Sequence, residues 1–120
     1  MSTVLKLNDS LIKFTPAGIV TKKDVLKTGA ALGKFLEDHS VRHIMIDLSE
    51  VKSVEPSAFR EDLVMQKKYK DKFDKIAIVG APKALYWFIE LSNTLFRYPE
   101  HNKIKNFDDT ESAMKWFESK

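Results

Sequence analysis

Cysteine is absent from all 120 residues. Disulfides, thiolate-bound zinc and thiol catalysis are thereby excluded, and the composition suits a reducing compartment. Glycine and proline are scarce, four of each, so neither low complexity nor a long irregular segment is expected. No apolar run approaches the ~20 residues that span a bilayer, and the first residues lack the basic and apolar regions of a secretory leader. The cytoplasm is the expected location. No sign of charge dominates, since 20 Lys and Arg stand against 17 Asp and Glu for a net charge of +3. The densest basic run, Lys67, Lys68, Lys70 and Lys72, is broken by Asp71 and Asp74. It falls late in an expected helix, where cations complement the negative end of the macrodipole, so nucleic acid is not an expected partner. Walker loops, Rossmann glycine fingerprints, HExxH and GxSxG are all missing, and His39, His43 and His101 have no ligand spacing. Neither a metal nor a cofactor is expected. With no converging acid, base and nucleophile, an enzyme is the least expected class.

What is present is the pattern of one domain spanning residues 1–120, with 43% hydrophobic residues. Thr3 to Leu7 and Leu11 to Phe14 are β-prone runs joined by Asn8-Asp9-Ser10, which predicts an opening hairpin. From Thr21 the period changes to helical, with Val25, Leu26, Leu32, Phe35 and Leu36 on one arc and Thr21 with Asp24 as a capping box. His43 to Leu48 alternates, placing Ile44, Ile46 and Leu48 on one face and Met45 and Asp47 on the other. A helix from Pro56 or Ser57 carries Phe59, Leu63, Met65, Tyr69 and Phe73 on one side. Lys75 to Gly80 reads as a central strand, Lys83 to Phe96 as a helix opened by Pro82, and Lys103 to Phe107 as a last strand. Asp108 with Glu111 suggests a capping box for a final helix bearing Ala113, Met114, Trp116 and Phe117. The order β-β-α-β-α-β-α-β-α predicts an α/β fold, a mixed and mostly parallel sheet of about five strands with about four helices.

Within that order, the runs IDLSEVKSVEPSAFREDL (46–63), KIAIVG (75–80) and FDDTESAMKWF (107–117) resemble the SpoIIAA-like branch of the STAS family. The resemblance implies helices packed largely on one face of the sheet. Signalling members of that family, the anti-sigma-factor antagonists, carry an Asp-Ser-Ser-Gly turn whose second serine is phosphorylated by a partner kinase. Glu55, Pro56, Ser57 and Ala58 occupy those places here, so only Ser57 keeps the family residue. The branch is also similar to CRAL-TRIO-type lipid carriers, an analogy that needs no serine.

Three features are candidates for function. Ser57 sits at a helix start, where a phosphate gains from the dipole and free N–H groups, although serine is equally a common first-turn or capping residue. Asp62 falls inside the apolar arc between Phe59 and Tyr69, with Gln66 beside it. The leading expectation is that it ties down the strand-to-helix turn; otherwise it faces a polar pocket, and Asp47 on strand three poses the same choice. The Lys83–Phe96 helix has two apolar stripes, one of Ala84, Trp87, Phe88, Leu91 and Leu95 and one of Leu85, Ile89 and Phe96. The second stripe either packs on a neighbouring helix or makes a lid, or an exposed patch, with Tyr86 and Trp87 suited to its boundary. The resulting expectation is a binding module for a small apolar or amphipathic ligand, with Leu85, Trp87, Phe88 and Ile89 as wall or lid and Lys83 and Ser57 as polar anchors. The alternative is phosphorylation-regulated binding of a protein partner through Ser57. A peripheral membrane contact and a homodimer are also allowed by an exposed apolar patch. Gly29 and Gly33, one turn apart, are expected at a close helix contact.

Overall fold

The computed structural model describes residues 3–38, 40–69, 72–96 and 104–119, and of 92–96 only the backbone. His39, Lys103, His101 and the side chains of Leu95 and Phe96 lie outside the described residues.

The opening hairpin forms as the pattern predicts, β1 (Thr3–Asn8) running antiparallel to β2 (Leu11–Thr15). Its turn is closed by Asn8, whose Oδ1 accepts from Ser10 N at 2.9 Å and Ser10 Oγ at 3.1 Å. Strand β4 (His43–Asp47), β6 (Lys75–Val79) and β7 (Ile104–Phe107) then add in parallel, giving a five-stranded sheet of order β1-β2-β4-β6-β7. The register aligns Ile12, Ile44, Ile76 and Ile104 in one row across four strands. Alternation along each strand sends Leu11, Met45, Ala77 and Val79 to the opposite face.

Both faces are covered. On the isoleucine face lie α1 (Lys22–Leu36) and α2 (Pro56–Tyr69), which contribute Leu32, Phe35, Leu36, Met65 and Tyr69 to a core built on Ile12, Ile44 and Ile76. The last helix, α4 (Thr110–Glu118), packs on the other face through Ala113, Met114, Trp116 and Phe117. A 3-10 turn at Lys83–Leu85 leads into α3 (Tyr86–Phe96), whose inner side chains join the isoleucine face. Three of the four helices therefore share one side. Met45 and Ile12, neighbours in the sheet with opposite orientation, are both fully buried.

Helix ends follow local chemistry. Thr21 caps α1 as read from the sequence, its Oγ1 accepting from Asp24 N at 3.2 Å while its own N–H donates to Asp24 at 2.9 Å. Pro56 opens α2, where its missing N–H costs nothing. The cap of α4 is Asp109, accepting from Ser112 N at 2.7 Å, one residue beyond the expected Asp108. Both aspartates suit the role, and the turn after β7 decides between them.

Two further strands were not expected. Gly18–Val20 (β3) and Val51–Val54 (β5) pair in parallel as a separate small sheet, and their Val20 and Val51 bury with Val25 and Ala58. Gly18 enters β3 at φ 69°, a left-handed conformation open to glycine. The small sheet is joined to α2 by the bond from Glu55 N to Val20 O, 2.9 Å.

Candidate functional site

The isoleucine face and α1, α2 and α3 do not meet completely. Between them lies a cavity of about 160 Å³. Its floor is Phe14, Ile44, Ile46, Ile76, Ile78 and Ile104, its α1 and α2 walls include Val25, Leu32, Phe59 and Met65, and Leu85, Phe88 and Ile89 close it from the α3 side. Helix spacing explains the gap. Gly29 and Gly33 let α1 and α2 approach closely, with the Tyr69 hydroxyl donating to Gly29 O at 3.1 Å and standing 3.1 Å from where a Gly33 Cβ would lie. By contrast α3 is held off by large rings, since Phe59 packs against Phe88 at 4.6 Å and Trp87 at 5.2 Å between centroids.

Among the described residues five polar side chains border this apolar space, and each has a partner, three of them in helix capping or backbone bonds. Asp24 belongs to the α1 capping box, Thr28 Oγ1 donates to Asp24 O at 2.9 Å, and the Tyr69 hydroxyl is bound to Gly29. The other two are Asp62 and Gln66, one helical turn apart on α2, joined by a 2.6 Å hydrogen bond from Gln66 Nε2 to Asp62 Oδ2. Burial raises the Asp62 carboxyl from its ordinary 3.8 to about 6, an effect the Gln66 hydrogen bond only partly offsets. Asp62 does not tie the turn before α2. Its partner is on its own helix, and the space it borders is apolar rather than polar.

The other sequence candidates separate. Leu85, Phe88 and Ile89 meet at the cavity, whereas Lys83 is exposed on the 3-10 turn and does not line it. Tyr86 and Trp87 point away, Trp87 keeping 55% of its surface exposed. The Leu85 and Ile89 stripe, with Phe88, thus faces inward and the Ala84, Trp87 and Leu91 side faces out, an assignment that the periodicity of two adjacent stripes leaves open. Ser57 is exposed in the first turn of α2, outside the cavity wall, while the adjacent Ala58 is fully buried in it. Asp47 closes the turn after β4, accepting from Ser49 N at 3.0 Å and Ser49 Oγ at 2.6 Å, with Lys13 at 3.7 Å. Burial acts to raise its pKa, but these hydrogen bonds and Lys13 outweigh it and hold the carboxyl below its usual range. Asp47 is a turn clamp. His43 stacks on Phe117 at 5.5 Å, and burial lowers its pKa.

A second, polar cleft of about 390 Å³ opens at the ends of β6 and β7, bordered by Gly80, Ala81, Tyr86, Asn106 and the start of α4. Its Asp109 is already committed to the helix cap. Among the described residues no group of three or more His, Asp or Glu could hold a metal ion, and no helix is long and apolar enough to cross a membrane.

Comparison with known proteins agrees with this architecture. No curated protein matches in sequence. Among solved structures, an uncharacterized DUF3478-family protein with a SpoIIAA-like fold from Shewanella loihica PV-4 is 22% identical, with a TM-score of 0.73 over 97% of this chain and 91% of that one. The anti-sigma factor antagonist SpoIIAA in its unphosphorylated form superposes with a TM-score of 0.72 at 10% identity, covering 100% of both chains. An anti-sigma factor antagonist from Mycobacterium paratuberculosis gives 0.67 at 16% identity, covering 99% of this chain and 94% of that one. At these identities the likeness is one of fold. Residues 11–118 match the SpoIIAA-like family itself, and with the mixed five-stranded sheet and four helices in place, the chain belongs to the SpoIIAA-like family, of STAS fold.

Proposed function

We propose that this chain is a non-enzymatic binding domain whose site is the cavity beneath α2 and α3, and that it takes a small, compact apolar molecule. The supporting observation is the cavity itself: about 160 Å³, partly open and lined mainly by isoleucine, phenylalanine and valine. An apolar space of about 150 Å³ stays dry and accepts benzene, so the occupant is of the size of one aromatic ring or a short alkyl chain. A diacyl lipid does not fit at this volume, which narrows the carrier analogy to small ligands. Titrating toluene into labelled protein tests the reading by NMR. The methyl resonances of Ile44, Ile76 and Ile104 are expected to shift in a saturable way; unchanged methyls at saturating toluene refute it.

A second reading, regulation through a protein partner, is favoured by the relatives more than ligand carriage is. SpoIIAA is known in a phosphorylated as well as an unphosphorylated form, and other structural relatives bear the name of anti-sigma factor antagonists. Ser57 is exposed in the first turn of a 14-residue helix, where added negative charge is favoured by the dipole. Glu55 takes the place of the family aspartate and Pro56 that of the first serine. Incubation with candidate kinases followed by intact-mass measurement is expected to add one phosphate to the wild type and none to Ser57→Ala. Equal labelling of both proteins sinks this reading.

A further inference from the structure

We infer that the Asp62–Gln66 pair makes the cavity selective for a small apolar amine, an arylalkyl or short alkylammonium, over the matching alcohol or carboxylic acid. The inference rests on the cavity being a ligand site, and it adds the chemistry of the ligand's head.

Among the described residues, the charged groups bordering the cavity all have one sign: they are Asp24 from α1 and Asp62 from α2, and no described Lys, Arg or His lines the space. Between α1 and α2 the exposed Lys22 pairs with Glu61 at 3.7 Å. An anionic head, whether carboxylate or phosphate, would therefore enter an apolar space facing carboxylates, with no counter-charge. The two carboxylates are also not equivalent. Asp24 accepts from both the backbone and the side chain of Thr21, a constraint that fixes it to the start of α1. Among the described residues Asp62 has one neutral amide donor, Gln66 Nε2, and otherwise sits on the wall of a space lined mostly by hydrocarbon. A buried carboxylate is stabilised far better by a cation than by a single amide, so an ammonium entering here gains a charge-assisted bond that a hydroxyl does not match. Volume sets the rest of the molecule. A space of about 160 Å³ accommodates one ring or a short chain, which places the head on a body the size of phenylethyl.

Protonation sets the pH range over which the pair can form. Among the described residues lining the cavity with Asp62, the sheet presents only apolar side chains, the Leu85–Ile89 segment presents Leu85, Phe88 and Ile89, α1 presents Asp24 and Thr28 beside its apolar residues, and α2 itself presents Gln66 and Tyr69. Burial holds the Asp62 carboxyl near 6, so the anion that pairs with an ammonium is lost as the pH falls through that value.

Isothermal titration at about pH 7.5 with 2-phenylethylamine, 2-phenylethanol, phenylacetate and toluene reads the selectivity directly, on the wild type and on Asp62→Asn. The amine is expected to bind about tenfold or more tighter than the alcohol and phenylacetate weakest of all, because a site that pairs a polar group rejects the analogue lacking it. In Asp62→Asn the amine and the alcohol are expected to converge while toluene binding is kept. Phenylacetate binding as tightly as the amine, or an amine preference that survives Asp62→Asn, overturns the inference. Toluene and alcohol binding without any amine preference also overturns it while leaving the cavity as a ligand site. Failure of all four probes removes the cavity reading and this inference with it. The four-probe series on wild type alone decides the head-group preference if the variant does not fold.

Discussion

Replacing Asp62 by asparagine should stabilise the protein at neutral pH and leave it unchanged in acid. The folded-state pKa of about 6 lies above the ordinary 3.8, so between these values the native protein holds a proton that the unfolded chain has released. Stability then falls as pH rises through this window. Below it both states are protonated and the residue costs nothing; above it both are ionised and the cost is complete. At about 1.4 kcal/mol per pKa unit the interval corresponds to a ceiling of about 3 kcal/mol. Part of the residue's surface remains exposed, and solvent screening lowers the expected gain for Asp62→Asn to about 1–2 kcal/mol. Asparagine retains an oxygen to accept from Gln66, so the hydrogen bond survives and the charge alone is removed. Urea unfolding followed by the fluorescence of Trp87 and Trp116, repeated from about pH 4 to about pH 7.5, yields the difference between variant and wild type at each pH. That difference isolates Asp62 from the carboxyls of Asp24, Asp38, Asp47 and Asp109, which are lowered and lose their stabilising effect in acid in both proteins alike. A difference that stays flat across the window, or an asparagine variant less stable at neutral pH, refutes the placement of a charged Asp62 in an apolar wall.

The remaining predictions concern the frame of the site. Gly80→Ala should destabilise by about 2 kcal/mol, read by thermal unfolding, because Gly80 has φ 66° and its added Cβ would stand 3.0 Å from Ser49 Cβ. Gly29→Ala should raise the melting temperature through a helix-propensity gain of up to about 1 kcal/mol, since the added methyl meets Met65 Sδ at an ordinary 3.6 Å. Thr21→Ala removes the half of the α1 capping box that Oγ1 accepts from Asp24 N, keeps the backbone N–H bond to Asp24, and should cost about 1 kcal/mol in urea unfolding.

Local chemistry made much of the fold legible. The Thr21 capping box, the Asn8 turn and the alternation of His43 to Asp47 depend on residues within a few positions of one another, and each forms as its spacing predicts. Pairings across long stretches of chain were not readable. Strands β3 and β5 are three and four residues long, too short for periodicity, and become strands only because Gly18–Val20 meets Val51–Val54 across the fold. The orientation of α3 depended on the same kind of information, since two apolar stripes side by side do not reveal which of Trp87 or Ile89 will be covered. Asp62 shows the division most plainly. Its position in the inward arc of α2 was evident from spacing, but the space it borders is created by the separation of three helices and has no local signature.

That separation has a physical origin in the side chains on either side of α2. Towards α1 the contacts are small: Gly29 and Gly33 admit Met65 and Tyr69, and the two helices close against the isoleucine row. Towards α3 they are large, with Phe59 meeting Phe88 and Trp87 ring to ring, so that α3 is propped outward while its Leu85, Phe88 and Ile89 still point in. A helix packed by small residues on one flank and by aromatic rings on the other leaves a wedge of space below the aromatic flank, and Asp62 and Gln66 face that wedge. The ring contacts hold open the space that Asp62 borders, and the cost of Asp62 at neutral pH is what the proposed occupant, by bringing a positive charge, would relieve.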